Sequence, residues 1–254
     1  MAIHKTEAVI LRRQEIRETS LILIAFSQTI GKIHGLVKGV RGARAAVPWY
    51  LEPLTLQSVV FYERRRSPLG LIGSCDLIDP FDFIRRDLVR TAYAGFCLDL
   101  VDAMTEVGDS HPEIFQLLVD VLKAMCQGMD PRRAARFFEA HFLRECGLLP
   151  DPEMLSLSPE GVVILRKILG GPISSIEKWN FSVEVDEQLR IRFQNCVREA
   201  LNRELKSRLF LQAIGLEGSV ESSGSRSVLR MTLNENKSNT HIPRPHSPAA
   251  AILG

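Results

Sequence analysis

The sequence predicts an α+β protein of more than one domain, with a small N-terminal β-barrel followed by an all-helical domain. Three observations carry that prediction. Five short runs enriched in β-branched residues, with turn residues between them, fill residues 7–78. At Pro80 the apolar spacing changes abruptly to that of helices. Finally, 254 residues exceed the roughly 100 to 200 of a usual single domain. The boundaries fall at 1–79 for the barrel, 80–216 for the helices and 217–254 for a tail.

The strands are predicted over Ala8–Arg12, Ser20–Phe26, Ile33–Val40, Leu54–Tyr62 and Leu69–Leu77. The second, Leu21-Ile22-Leu23-Ile24-Ala25-Phe26, is apolar at every position, so both its faces must be covered. A second domain should therefore pack on its outside. The triple arginine Arg64-Arg65-Arg66 marks a hairpin tip, either solvated or part of a phosphate-binding surface.

Past Pro80, Ile84, Leu88, Ala92, Phe96 and Leu100 form one apolar stripe of a core helix reaching about Thr105. A second helix spans about Pro112–Gln127, ending at Gly128. Asp130-Pro131 pairs a capping acceptor with proline at the first helical position and opens a third helix that stops at Gly147. Ser158-Pro159 repeats that signal for a helix to Leu169. A last pattern runs from about Val185 to Leu216. Beyond it the composition turns to Ser, Asn, Gly, Pro and Arg, with too little apolar surface to offset chain entropy, and the tail is expected to be disordered.

The net charge of +2 conceals an asymmetry. Residues 1–66 hold 11 Lys and Arg against 5 Asp and Glu, and the remainder 21 against 25. Such a split favours nucleic acid as partner of the first third. The five cysteines, at 75, 97, 126, 146 and 196, are scattered and contain no CxxC pair, which reads as buried thiols in a reducing compartment. No histidine clusters near them, so neither a metal nor a cofactor is expected. No run of about 18 apolar residues is present to span a membrane, and the N-terminus lacks a leader's apolar stretch; a cytoplasmic, nucleoid-associated protein is expected.

The candidate site is the basic strand and loop from Gly31 to Leu54. At a period of two, Ile33, Gly35 and Val37 share one face, while Lys32, His34 and Lys38 share the other. Gly39-Val40-Arg41-Gly42-Ala43-Arg44 then combines glycines, which allow close approach, with guanidinium groups. A polyanion held along its backbone suits this pairing. Arg12, Arg13 and Arg17 are expected as neighbours, and Trp49 either stacks on bases or plugs the barrel. No P-loop or nucleophile motif occurs, and Asp99 and Asp102 read as a solvated helix face, so no catalytic residue is assigned.

The segments Thr6-Glu7-Ala8-Val9-Ile10-Leu11-Arg12, Glu18-Thr19-Ser20, Gly31-Lys32, Lys38-Gly39-Val40-Arg41 and Leu51-Glu52-Pro53-Leu54 resemble the bacterial recombination and repair family RecO. So do Phe137-Phe138-Glu139, Gly147-Leu148-Leu149-Pro150 and Leu205-Lys206-Ser207-Arg208-Leu209-Phe210-Leu211, in order over roughly residues 5–212. The resemblance implies an OB-fold barrel fused to helices and a protein that is not an enzyme. It implies binding of single- and double-stranded DNA, annealing of complementary strands, contact with the C-terminal tail of single-stranded DNA-binding protein, and action with RecR in loading RecA. Many relatives carry a four-cysteine zinc module after the stretch matching Gly147–Asp151; here the module is reduced or absent near 147–158. For the acidic tail, Arg132, Arg133 and Arg136 beside Phe137 are the expected contacts, with a solvated helix start as the alternative. An RNA-binding OB-fold protein and a protein-interaction scaffold are the other readings of the same charge pattern.

Overall fold

In the computed structural model, which describes residues 2–16, 20–38, 49–64, 67–178 and 182–218, five strands close into a barrel in the order β1-β2-β3-β5-β4. They are β1 (Ala2–Ile16), β2 (Ser20–Ser27), β3 (Gly31–Lys38), β4 (Leu56–Arg64) and β5 (Ser67–Asp79). Neighbours are antiparallel except β3 and β5, which run parallel from His34↔Leu69 to Leu36↔Leu71. This is the OB-fold arrangement. β1 is far longer than the predicted Ala8–Arg12 because it serves two partners. Residues 2–9 pair with β4, and residues 8–16 pair with β2.

The interior of so narrow a barrel is filled by few side chains, among them Ala8, Ile10, Leu21, Leu23, Ile33 and Phe61. Gly35 and Gly70 are required there. A Cβ at the first would overlap Ile72, and one at the second would overlap the Phe61 ring. Other residues of β1 and β2 point the other way. Val9 and Leu11 of β1 and Ile24 and Phe26 of β2 enter the core of the helical part, where the Phe26 ring lies 6.5 Å from Phe115. The cover expected for β2 is thus a layer of helices.

Those helices are α1 (Asp82–Arg85), α2 (Leu88–Met104), α3 (Pro112–Cys126), α4 (Pro131–Glu145), α5 (Pro159–Gly170), α6 (Val183–Leu201) and α7 (Lys206–Ala213). The side chains of Asp130 and Ser158 accept from the backbone N–H groups of Arg133 and Gly161, so the caps sit at the predicted start signals. Two predicted helices are each divided. Asp87, in an extended conformation, starts α2 afresh after α1 by accepting from Arg90 N. Asn202, with φ of 53°, adopts the left-handed conformation that ends α6 and turns the chain into α7.

A cluster of buried charges ties the last elements to the helical core. The Arg136 side chain is fully buried and ion-pairs with Glu139, with Asp186 at 3.1 Å and with Glu217 at 3.1 Å. Arg208 joins Glu139 and lies 2.7 Å from the other oxygen of Glu217, and its guanidinium stands 4.3 Å over the Phe96 ring. Leu216 O accepts from Arg132 Nη2 at 2.9 Å and from the Tyr93 hydroxyl at 3.3 Å. The arginines hold the Glu217 carboxyl below its ordinary value although burial pushes it up. Residues 1–218 form one compact unit, so Glu217 belongs to the body and not to the tail. The tail itself, from Ser219 onward, lies outside the described residues.

Two outcomes follow. Glu139→Gln leaves two buried guanidiniums short of charge and is expected to cost about 3–5 kcal/mol in urea unfolding, whereas Glu153→Gln, at the exposed Arg166 pair, costs under about 1 kcal/mol. His141 Nε2 donates to Ile168 O at 3.0 Å and Nδ1 accepts from Arg144 Nη2 at 2.9 Å, which fixes a neutral ring; burial, then Arg144, lower its pKa from 6.5. A lowered folded pKa means that the unfolded chain takes up the proton first as pH falls. Stability from this site is complete above 6.5 and is lost below it, so His141→Gln should flatten the fall in unfolding free energy between neutral and acid pH.

Candidate nucleic-acid interface

The predicted two-residue alternation of β3 holds, and its cationic face is not uniform. Lys32 pairs across the sheet with Phe26 and His34 with Ile24, so both share the side of β2 that faces the helices. Lys32 is 8% exposed, His34 is half-buried and Lys38 is open to solvent. The row therefore rises out of the domain joint toward the far end of the barrel.

Lys32 is a correction to the sequence reading. Its Nζ donates to Asp102 O at 2.7 Å and lies 3.7 Å from Asp102 Oδ1, at the C-terminal end of α2. The turn after α2 reinforces the contact. Gly108 N donates to Lys32 O at 2.9 Å, and Gly31, at φ of 66°, leaves room for the Asp109 carbonyl that any Cβ would strike. Lys32 is thus a joint between barrel and helices, its ammonium committed to Asp102. His34 sits beside it with its pKa lowered from 6.5, first by burial and then by Lys32, so the ring is neutral near pH 7.

Arg12 reaches the same side through an irregularity. The register of β1 on β2 shifts between Ile10 and Arg12, with Leu11 as the extra residue. Without that bulge, alternation would turn Arg12 into the barrel; with it, Arg12 pairs with Ile24 and faces the helices. Its Nε lies 2.5 Å from Asp102 Oδ2, and its side chain remains 61% exposed. Arg13, one residue on, faces the barrel mouth and ion-pairs with Glu52 at 2.6 Å. Arg17, Arg41 and Arg44 lie outside the described residues. Trp49 begins a single helical turn, Trp49–Leu51, whose Leu51 is buried in the barrel core; the Trp49 side chain lies outside what is described.

Asp99 and Asp102 do not form the solvated face expected of them. Asp99 Oδ2 accepts from Ser207 N at 3.1 Å and from its hydroxyl at 2.7 Å, and Asp102 holds Arg12 and Lys32. Together with Leu11, Leu54, Leu98 and Arg85 they line a cleft of about 440 Å³ between barrel and helices. Two aspartates three apart in the otherwise apolar second half of α2 were the available signal. What they meet lies on other elements, which spacing along one helix does not reveal.

On the helical side, Arg136 and Phe137 are also corrections. Both are core residues, Arg136 in the buried charge cluster and Phe137 with its ring 4.2 Å from that of His141. Arg132 and Arg133 instead line a cleft of about 260 Å³ with Val89, Tyr93, Val183 and Asp186. Val183 is 70% exposed at its rim. Among the described residues no group of three or more His, Cys, Asp or Glu is arranged to hold a metal ion, and residues 147–158 contain neither Cys nor His to serve as zinc ligands. The cysteine thiols are raised by burial, Cys75 to about 12 and Cys146 to about 11. No described helix is long and apolar enough to cross a membrane.

Comparison with known proteins agrees with this architecture in both parts. A family model described as Recombination protein O N terminal matches residues 1–81, and one described as Recombination protein O C terminal matches residues 85–153. The chain is 29% identical to the DNA repair protein RecO of Syntrophobacter fumaroxidans, over 71% of this chain and 67% of that protein. It is 32% identical to the protein of the same name from Syntrophus aciditrophicus, over 59% of this chain and 58% of the relative. The match to that of Pelotomaculum thermopropionicum is 27% identical and spans 85% of this chain and 96% of the relative. With barrel and helices matched in order and the closed five-stranded sheet in place, the chain belongs to the RecO family of DNA repair and recombination proteins.

Proposed function

We propose that this chain is a non-catalytic mediator of recombinational repair. It binds single- and double-stranded DNA by its phosphates, anneals complementary strands, and with RecR helps load RecA onto DNA coated by single-stranded DNA-binding protein. The observation that carries the reading is the graded outer face of β3. It places Lys38 in solvent at the end of a strand whose continuation holds Arg41 and Arg44, with Arg12 on the same side of the barrel. Cations spread along an edge suit a polyanion gripped through its backbone. His34, neutral near pH 7, contributes a hydrogen bond and no charge, and Arg13, Arg17 and Trp49 complete the proposed surface.

Annealing follows from contacts of this type. Neutralised phosphates repel each other less, while unread base edges stay free to pair. No nucleotide hydrolysis enters the step. For the acidic tail of single-stranded DNA-binding protein, the cleft between Val89, Val183, Arg132 and Arg133 combines apolar rims with guanidinium groups, the chemistry that an acidic segment with an apolar end requires.

Replacing Lys38, Arg41 and Arg44 together by Glu should weaken binding of a fluorescent oligonucleotide by on the order of 100-fold at moderate salt, and should lower the slope of log affinity against log salt by about three. Unchanged affinity removes this surface from consideration. RNA of equal length outcompeting DNA would move the reading to an RNA-binding OB-fold protein, and the absence of any nucleic-acid binding to an interaction scaffold. For the tail, Arg133→Glu and Val183→Asp should abolish capture of the protein on an immobilised tail peptide while leaving oligonucleotide affinity intact. Retention of capture in both variants would place the tail elsewhere.

A further inference from the structure

Arg12 presents an unusual combination of exposure and commitment. Its side chain is 61% exposed, as a phosphate-binding arginine would be, yet its Nε is occupied by an oxygen of Asp102, a carboxylate only 10% exposed. Asp102 does not depend on Arg12 alone for a counter-charge, because Lys32 lies 3.7 Å from its other oxygen and donates to its backbone carbonyl at 2.7 Å. Removing Arg12 therefore leaves no carboxylate buried without a counter-charge, which is the condition that makes most buried pairs costly to break. A pair whose arginine stands in solvent is partly screened, and a phosphodiester offers the guanidinium two oxygens in its preferred forked geometry.

Position supports the exchange. Arg12 and His34 flank Ile24 on adjacent strands. Arg12 thus lies about 10 Å across the sheet from the outer row of β3, and Lys38 about 13 Å further along it, by strand spacing and rise. A few nucleotides bridge that distance. We propose that Asp102 is a latch on the DNA-binding surface. It holds Arg12 in the free protein and yields it to a DNA phosphate, so that nucleic acid and the barrel–helix joint compete for one guanidinium. The proposal rests on the DNA-binding reading above and deepens it. Asp102 acts through Arg12 and is a positioning residue. Binding of DNA accordingly removes one of the two side-chain ties between β-barrel and α2 at this point and leaves the Lys32 tie in place.

The test is a double-mutant cycle on the full chain, read by anisotropy of a fluorescein-labelled oligothymidylate across a sodium chloride series. Asp102→Asn should tighten binding about two- to fivefold, the range of an ion pair screened by solvent on its arginine side. Arg12→Gln should weaken binding and reduce the salt slope by about one. In the Arg12→Gln background, Asp102→Asn should have no further effect. Tightening by the same factor in both backgrounds would mean that only the local negative field was removed, and no tightening with Arg12 present would mean that no latch exists; either overturns the proposal. A second measurement needs no change at Asp102. The Arg12 Nε–H NMR signal, assigned from its loss in Arg12→Gln, should move on adding the oligonucleotide, and a signal unmoved at saturation overturns the proposal. Should the unsubstituted protein fail to bind the oligonucleotide at all, the DNA-binding reading itself falls; binding without coupling removes the latch alone.

Discussion

Two strand segments covered on both faces, the middle of β1 and nearly all of β2, hold this molecule together. β1 and β2 send Ala8, Ile10, Leu21 and Leu23 into the barrel and Val9, Leu11, Ile24 and Phe26 into the helices, so one pair of strands is a wall of two interiors. Apolar surface on both sides of a sheet must be covered on both sides, and only the barrel and the helical layer together can do so. The orientation of the helices on the barrel follows from that requirement. So does the placement of α2, whose C-terminal end is carried to the start of β3.

Where the shared wall ends, the same strand face changes character within a few residues. Lys32 is spent on fastening α2, His34 is half-covered, and Lys38 meets water. A single alternating pattern thus supplies both a structural bolt and a charged rim. The difference between them is set by how far the helical layer extends over the sheet. The bulge at Leu11 extends the same logic to β1. One additional residue brings Arg12 out of the barrel and onto the rim, where the last turn of α2 meets it.

Much of this was legible in the sequence, and what was not has a common cause. Five strands, the covered β2 and the capped starts at Asp130 and Ser158 could be read because each depends on periodicity or on a local capping pair. The length of β1 could not, because its first half carries polar residues and is held as a strand by β4, which follows some fifty residues later. Lys32, Arg136 and Asp102 were misread for a related reason. Alternation reports which face a side chain takes and is silent about what lies across from that face. Arg136 read as a partner contact or a solvated helix start, both at the surface, and only the arrival of Asp186 and Glu217 makes a buried guanidinium tolerable there.

The buried charge cluster also bears on the order in which the chain can assemble. Glu139 and Arg208 are 69 residues apart and Arg136 and Glu217 are 81, yet their side chains meet in one buried spot. A nascent chain that has reached α4 already holds the arginine and the glutamate of that helix but lacks three of their counter-ions, Asp186, Arg208 and Glu217, so the spot has to stay hydrated while synthesis continues. The barrel can pair its strands early; the interior behind α4 dries only when almost the whole body has emerged from the ribosome.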